Sequence, residues 1–426
     1  MIPTLTLRFR RLLWTIGTLL LVSLALMQCF SICSPMRGRA TQTDFSTYYL
    51  TAQSIAANRN PYTVDFGPAI KKWGYDTGGV SHATDPPTLV MMIAPLAWLS
   101  IDSSFRLWST MNVACLALSI FLIFGPRSGL PICTRWILIS ALAYYPPIES
   151  ALFFSQGKIQ ILMLLSLMPS LLEKEREGAA GLVLALAILL RIFPLLIVGY
   201  VILFRRWRLL GFVSAGCAIG TLLTLLVLGL HRVVSFTHGV DTLTDLRWAS
   251  FPQDFAVDEL ISRVLWTFSP LGGTALGDFL RAAIVASAKL GFMWLTVRTT
   301  LSFLPNQDSD WRLFSLWVVT SVLLSPIAWL HYEVMFLNLF SQLGIAASHG
   351  RASWRAIIMA IANWRFTLIW ARWGDQYPIL AKAWWQQIVA EFGSLSMIAA
   401  YISAYWFAVD DPQSLAATNR DMPTEG

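Results

Sequence analysis

Hydrophobic positions in this chain come in long runs. Stretches 12–33, 107–124, 178–204, 209–230, 280–304, 313–343 and 388–409 are largely apolar. A run of about 18 or more such residues is long enough to cross a bilayer as a helix. The pattern therefore predicts an all-α polytopic membrane protein. Three apolar segments are too short or too broken for a simple span. Residues 88–99 cover about half a crossing. Residues 137–148 end in "YYPP", and proline halts a helix because it lacks a donor and clashes with the preceding turn. The run 178–204 carries "RIFP" (191–194) at its centre, and its flanks "EKERE" and "RRWR" are basic enough for a re-entrant hairpin with both ends cytoplasmic. Broken helices at membrane depth persist only when buried in protein or lining a wet cavity, so the pattern implies a cavity.

Polar segments separate the runs. A long loop follows the first, at about 34–87, and a second excursion occupies about 231–276. The polar tail 410–426 is expected to be disordered. Residues 1–409 read as one membrane domain, with about nine to twelve helices by run length. Segment 363–387 interleaves Trp364, Trp370, Trp373, Trp384 and Trp385 with arginine and lysine, the make-up of an interfacial helix.

Composition sharpens the class. Of 426 residues, 56% are hydrophobic and 13% charged, with mean hydropathy +0.60. That charged share is about half of what soluble domains carry. The net charge of +7 lies largely beside the runs, in "RFRR" (8–11) and "RRWR" (205–208). There it sets orientation and meets anionic headgroups, so no nucleic acid is implied. The first run is too long for a signal-peptide core, and no small-x-small cleavage site follows it. It reads as an uncleaved span with a cytoplasmic N-terminus, which makes the first loop extracytoplasmic. The cysteines Cys29, Cys33, Cys115, Cys133 and Cys217 are scattered, mostly within apolar runs. They form neither a disulfide framework nor a zinc motif.

Several polar residues stand out against this background. In "DFSTYYLTAQSIAANRNPY" (44–62), Phe45, Tyr48, Tyr49, Ala52, Ile55 and Ala56 fall on one helical stripe, with Gln53, Ser54, Asn58 and Arg59 off it. A helix of this kind lies on a membrane surface. Asp44 opens it, either as an N-cap accepting orphan N–H groups or as a reactive carboxylate. In "TDPP" (84–87), Asp85 fits a rigid turn or a cap for the next helix. "FFSQGKIQILMLL" (153–165) opens an apolar helix with Gln156, Lys158 and Gln160. Lys158 either snorkels to the interface or offers a cation to an anionic group. Arg191 lies near the middle of a span-length run, where a charge costs about 2.5–3.5 kcal/mol and is either functional or paired with a buried acid. In "SPIAWLH" (325–331) a Ser-Pro break is followed by Trp329 and His331.

In this order, the elements resemble glycosyltransferase family 87, from about residue 43 to 343. These are polyprenyl-phosphate-sugar-dependent membrane transferases of the GT-C fold, many of them mannosyltransferases. The resemblance rests on the acid opening the loop helix, "TDPP", "GKIQ", "RIFP" with its basic turn, and Ser-Pro-x-x-Trp-x-His, matched by Ser325, Pro326, Trp329 and His331. "TDPP" places Asp85 where another residue is usual, and "GKIQ" changes both amide residues of its motif.

The resemblance implies a GT-C-like bundle whose first extracytoplasmic loop carries the amphipathic helix. It implies transfer of a hexosyl group, mannosyl favoured, from a polyprenyl-phosphate donor to an extracytoplasmic glycan or lipid-linked acceptor, with inversion. Asp44 is then the general base. His331, Arg191, Lys158, Gln160, Tyr48 and Trp329 bind donor phosphate or substrate, with Arg263 a further cation. No metal or separate cofactor is required; the implied partners are membrane lipid, the donor and the acceptor, with no nucleic acid and no obligatory protein. The implied location is the inner (cytoplasmic) membrane. The chief alternative is a polytopic lipid or sugar transporter or flippase, which also uses broken helices and buried charges. An acyl- or phosphotransferase would lean on His238 and Asp241, whose spacing is commonplace.

Overall fold

The computed structural model describes residues 40–41, 43–74, 82–125, 132–244, 255–268, 274–303, 310–348, 350–373 and 384–410. The expected span at 12–33 and the tail beyond 410 lie outside these residues, as do parts of both loops. Every regular element among the described residues is helical. They divide into two compact units, one of residues up to 192 with 208–245, the other of 193–207 with those from 246 onward.

The first unit begins with α1 (Phe45–Ala56) and the short α2 (Gly67–Lys72). α3 (Pro87–Ile93) runs into a 3-10 turn, Ala94–Trp98. Pro87 opens α3 where a missing N–H costs nothing, so the half-length helix starts at the tandem prolines as its sequence predicts. α4 (Ile101–Phe124) is capped by Ser100, whose hydroxyl accepts from the Ser103 N–H at 3.3 Å, and Asp102 lies in its first turn. α5 (Ile132–Ala143) stops before "YYPP", and α6 (Pro146–Phe153) starts at its first proline. α7 (Lys158–Leu172) and α8 (Glu177–Leu190) pack on each other, and α7 also packs on α4.

The break at "RIFP" is as predicted. α8 ends at Arg191, whose backbone is extended (φ −152°, ψ 137°). A 3-10 turn, Phe193–Leu196, and α9 (Ile197–Leu203) then open the second unit's share of the chain. Neither α8 nor α9 alone reaches the length of a span.

α10 (Trp207–Leu228) and α11 (Leu230–Thr244) complete the first unit. α10 leaves Ile219, Leu222 and Leu226 more than half exposed, as a lipid-facing helix does. Beneath the first loop, Tyr62, Phe66, Ile70, Ala83 and Val90 form a core with Leu228. Asn60 Nδ2 donates to Ser235 Oγ at 2.9 Å and Arg232 donates to Asn58 Oδ1 at 2.5 Å, tying the loop to α11.

The second unit contains α12 (Val257–Phe268), α13 (Ala275–Phe303), α14 (Asp310–Leu323), a 3-10 turn (Leu330–Phe336), α15 (Leu337–Ser348), α16 (Trp354–Trp373) and α17 (Trp384–Val409). α17 packs along both α14 and α16. Thr296, Thr320 and Tyr401 join α13, α14 and α17 through hydroxyl contacts of 3.0 and 3.1 Å. Gly393 on α17 must be glycine, since a Cβ there would lie 2.1 Å from the Phe255 ring.

Among the described residues, four helices are long and apolar enough to cross a membrane: Ile101–Phe124, Trp207–Leu228, Leu276–Phe303 and Glu391–Val409. They coincide with the runs at 107–124, 209–230, 280–304 and 388–409. The described residues are those of a helical, polytopic membrane protein. The run at 313–343 is instead divided by its Ser-Pro break, where Ser325 Oγ donates to the Ile327 carbonyl at 2.7 Å. On α16, which packs against α17, Asn363, Thr367 and Trp370 are buried while Arg365 and Leu368 are exposed, and Asn363 and Thr367 donate to Glu333 Oε2.

Candidate active site

The first unit gathers most of the polar residues singled out in the sequence. Asp44 precedes α1, yet its side chain makes no cap hydrogen bond, so the capping role is not the one realised. The carboxylate turns instead to the start of α7, where Gln156 Nε2 donates to Asp44 Oδ2. The other end of that amide, Gln156 Oε1, accepts from Lys158 Nζ at 2.9 Å and from the Tyr48 hydroxyl at 3.3 Å. A flipped amide would point its NH2 at two donors, so Lys158 and Tyr48 fix its NH2 toward Asp44.

The turn that presents Gln156 is strained and held from outside. Ser155 adopts φ +51°, a left-handed conformation costing a non-glycine residue about 1–3 kcal/mol. Trp108 Nε1 donates to the Ser155 carbonyl at 2.8 Å, and the Ser109 and Ser155 hydroxyls meet at 2.9 Å. Both partners stand on α4, which thereby holds the strained residue.

A second charged pair adjoins this network. Arg191 donates to the Tyr48 hydroxyl at 3.2 Å and pairs with Asp85 at 2.5 Å. Asp85 does not cap α3, whose first turn follows Pro86; it is the buried acid for the mid-span arginine. Extended backbone at Arg191 lets the side chain leave the helix axis toward it. The Tyr62 hydroxyl donates to the Asp85 carbonyl at 3.0 Å and fixes the turn from behind. Burial pushes the Tyr48 phenol well above its ordinary value; the Asp85 charge acts the same way and Arg191 against it. Tyr48 thus stays protonated, donating to Gln156 while accepting from Arg191.

Gln160 lies one turn into α7. Its Nε2 donates to Asn112 Oδ1 at 3.1 Å, while its buried Oε1 has no hydrogen-bond partner among the described residues. A Cβ added at Gly157 would stand 3.6 Å from that oxygen and 3.9 Å from the Tyr48 hydroxyl. Lys158 is only 3% exposed, which overturns snorkelling: its amino group is turned inward to Gln156.

α1 buries a different face from the expected one. Phe45, Tyr48 and Ala52 are buried as predicted, but Ser46, Thr51 and Ser54 are buried with them, while Ala56 is exposed. Tyr49 of the predicted stripe and Gln53 from off it donate to the Leu99 and Ala97 carbonyls, each at 3.0 Å. The helix is therefore enclosed on more than one side rather than laid on a surface.

Trp329 and His331 belong to the second unit. The His331 ring lies 5.7 Å from Trp329 and 5.5 Å from Tyr332, which contacts Phe193. Arg263, expected as a further cation, is committed elsewhere: it pairs with Glu391 at 2.8 Å and donates to Ser394 at 2.7 Å. The side chains of His238 and Asp241 lie outside the described residues. Gln156 is the residue whose part the sequence did not reveal. Its signal was its place two residues before a buried lysine at a helix start.

Asp44, Gln156, Tyr48, Lys158, Arg191 and Asp85 thus form one connected polar network within the first unit. The sequence pattern of glycosyltransferase family 87 matches residues 84–326, more than half of the chain. The chain belongs to this family and is a glycosyltransferase. The matched region contains Asp85, Lys158, Gln160 and Arg191 and closes on Ser325-Pro326. No curated protein and no solved structure matches the chain.

Proposed function

We propose that this transferase moves a hexosyl group, mannosyl favoured, from a polyprenyl-phosphate donor to an extracytoplasmic glycan or lipid-linked acceptor, with inversion. The observation that carries the reading is the hydrogen-bonded chain from Asp44 through Gln156 to Lys158 and Tyr48, and on to Arg191 and Asp85. The acceptor hydroxyl must lose a proton as it attacks the anomeric carbon. Asp44, partly exposed and oriented by Gln156, is placed to take it. The leaving group is a phosphodiester, which needs charge stabilisation rather than protonation. Arg191 in a water-poor setting supplies that effect, with the Tyr48 hydroxyl holding its guanidinium in place. Lys158 acts through the amide of Gln156. His331 and Trp329 are assigned to the donor phosphate on the family resemblance.

The orphan Oε1 of Gln160 suits a sugar hydroxyl, since a buried acceptor without a partner calls for a missing donor. The wider arrangement we propose is a GT-C-like bundle of about nine to twelve spans, by the run lengths, in the inner membrane. Its N-terminus is cytoplasmic and its site extracytoplasmic. No metal or separate cofactor enters the scheme.

The deciding experiment is purified protein in proteoliposomes supplied with polyprenyl-phosphate-mannose, polyprenyl-phosphate-glucose or a nucleotide-sugar, each with a glycan or glycolipid acceptor. Sugar appearing on the acceptor from a polyprenyl-phosphate donor supports the proposal. Transfer from the nucleotide-sugar alone would overturn the donor class. Transbilayer movement of the lipid-linked sugar without any glycosylated product would turn the reading to a flippase.

A further inference from the structure

The second unit holds a carboxylate that the proposed chemistry does not use. Glu333 is fully buried, two residues after His331 in the 3-10 turn Leu330–Phe336. Its Oε2 accepts from Asn363 Nδ2 and Thr367 Oγ1, both at 3.1 Å. Its Oε1 is bonded to the Ser396 hydroxyl. Asn363 and Thr367 stand one turn apart on α16, and Ser396 stands on α17. Asn363 Nδ2 also donates to the Ser396 carbonyl at 2.8 Å, joining the two helices directly.

Burying a carboxylate is costly, so a chain that places one here must gain from where it is held. A valine or leucine would fill the space between two packed helices at lower cost. The carboxylate does what an apolar side chain cannot: it fixes a short, irregular turn to two long helices at defined points. A 3-10 turn has weaker internal hydrogen bonds than an α-helix and draws its rigidity from such outside contacts. The residues carried by that turn are Leu330 to Phe336, with His331 and its ring neighbour Tyr332 among them.

We propose that Glu333 is a positioning residue for sugar transfer, holding the His331 turn against α16 and α17 through Asn363, Thr367 and Ser396. The inference rests on the reading that His331 serves the donor. Small displacements of such groups are enough to slow a reaction by about 10²-fold.

The test uses full-length protein in lipid nanodiscs, with kcat and donor KM measured per folded molecule beside the melting temperature. Glu333→Gln keeps volume but replaces one of the two acceptor oxygens by an NH2, so the α16 donors and Ser396 can no longer both donate to it. It is expected to lower kcat about 10–100-fold with little change in melting temperature. Ser396→Ala, which removes a single donor, should lower kcat less. Unchanged kcat in folded Glu333→Gln, with His331→Ala inactive, would overturn the role of Glu333 alone. Full activity in His331→Ala would overturn the reading beneath it. Should Glu333→Gln not fold, Ser396→Ala combined with Thr367→Val leaves the carboxylate in place, and wild-type kcat in that protein would equally sink the proposal.

Discussion

Arg191 and Asp85 form an ion pair at 2.5 Å, joining the break in one apolar run to the proline turn that precedes another. Their side chains are only 13% and 10% exposed, so little water screens either charge. Removing one member of such a pair strands the other and costs about 3–5 kcal/mol, whereas removing both is far milder.

Asp85→Ala is therefore expected to lower the melting temperature markedly in detergent, and Arg191→Met to do the same. The double variant should recover most of that stability and none of the transfer activity, because Arg191 is also the proposed cation. Single-variant losses that simply add in the double variant would show that the pair is not the structural unit inferred here.

Asp44→Asn and Gln156→Leu separate chemistry from positioning. Asp44→Asn should keep the fold and donor binding and lower kcat about 10²–10⁴-fold, the usual weight of a general base. Gln156→Leu leaves the carboxylate but removes the hydrogen bond that orients it, so a smaller loss in kcat with a near-normal donor KM is expected. Wild-type turnover in purified Asp44→Asn would remove Asp44 from the mechanism.

The legible parts of this molecule were those fixed locally. Run length gave the four described helices long and apolar enough to span, and proline chemistry gave the breaks at "YYPP", "RIFP" and Ser325-Pro326. Pairings set by tertiary structure were hidden. Asp85 looked like a turn residue because nothing near it in sequence carries its counter-charge. Asp44 looked like a cap because the amide that claims it belongs to the turn before α7. The face of α1 was read for apolar side chains alone. Its buried serines and threonine escaped notice because short hydroxyl side chains carry no periodic apolar signal.

Lys158 tests whether orientation is transmitted through Gln156. Lys158→Met preserves much of the buried stem but removes the donor to Gln156 Oε1. The amide can then rotate, and kcat should fall in proportion to Gln156→Leu. In the Gln156→Leu background, Lys158→Met should add little, since both act along one line to Asp44. Two independent, multiplying losses would instead place Lys158 directly on the donor.

His82, at the end of the first loop, supplies a pH dependence. Burial lowers its imidazole pKa, with Asp65 acting in the opposite direction. The folded protein then binds this proton less readily than the unfolded chain. Its stability contribution is full above the ordinary value near 6.5 and declines as pH falls from there through the lowered one. The wild-type advantage in melting temperature over His82→Gln should be present at pH 7.5 and shrink toward about pH 5. An advantage that grows on acidification would contradict the assignment.

Gly157 offers a variant that separates room for substrate from fold. Its backbone (φ −69°, ψ 6°) is open to any residue, so no conformational need explains the glycine. An added Cβ would meet Gln160 Oε1 at 3.6 Å and Trp108 and Tyr48 at 3.9 Å, all ordinary contacts. The helix-start preference for glycine over alanine and the reduced freedom of the unfolded chain act in opposite directions. The net stability change of Gly157→Ala should stay within about 1 kcal/mol. The new methyl would stand between the Tyr48 hydroxyl and the orphan Gln160 oxygen, where the proposed sugar hydroxyl must reach. Gly157→Ala should therefore melt like the wild type yet raise the donor KM several-fold, and Gly157→Val should do so more strongly. A normal KM in a normally folded Gly157→Val protein would mean that the sugar does not pass between Tyr48 and Gln160.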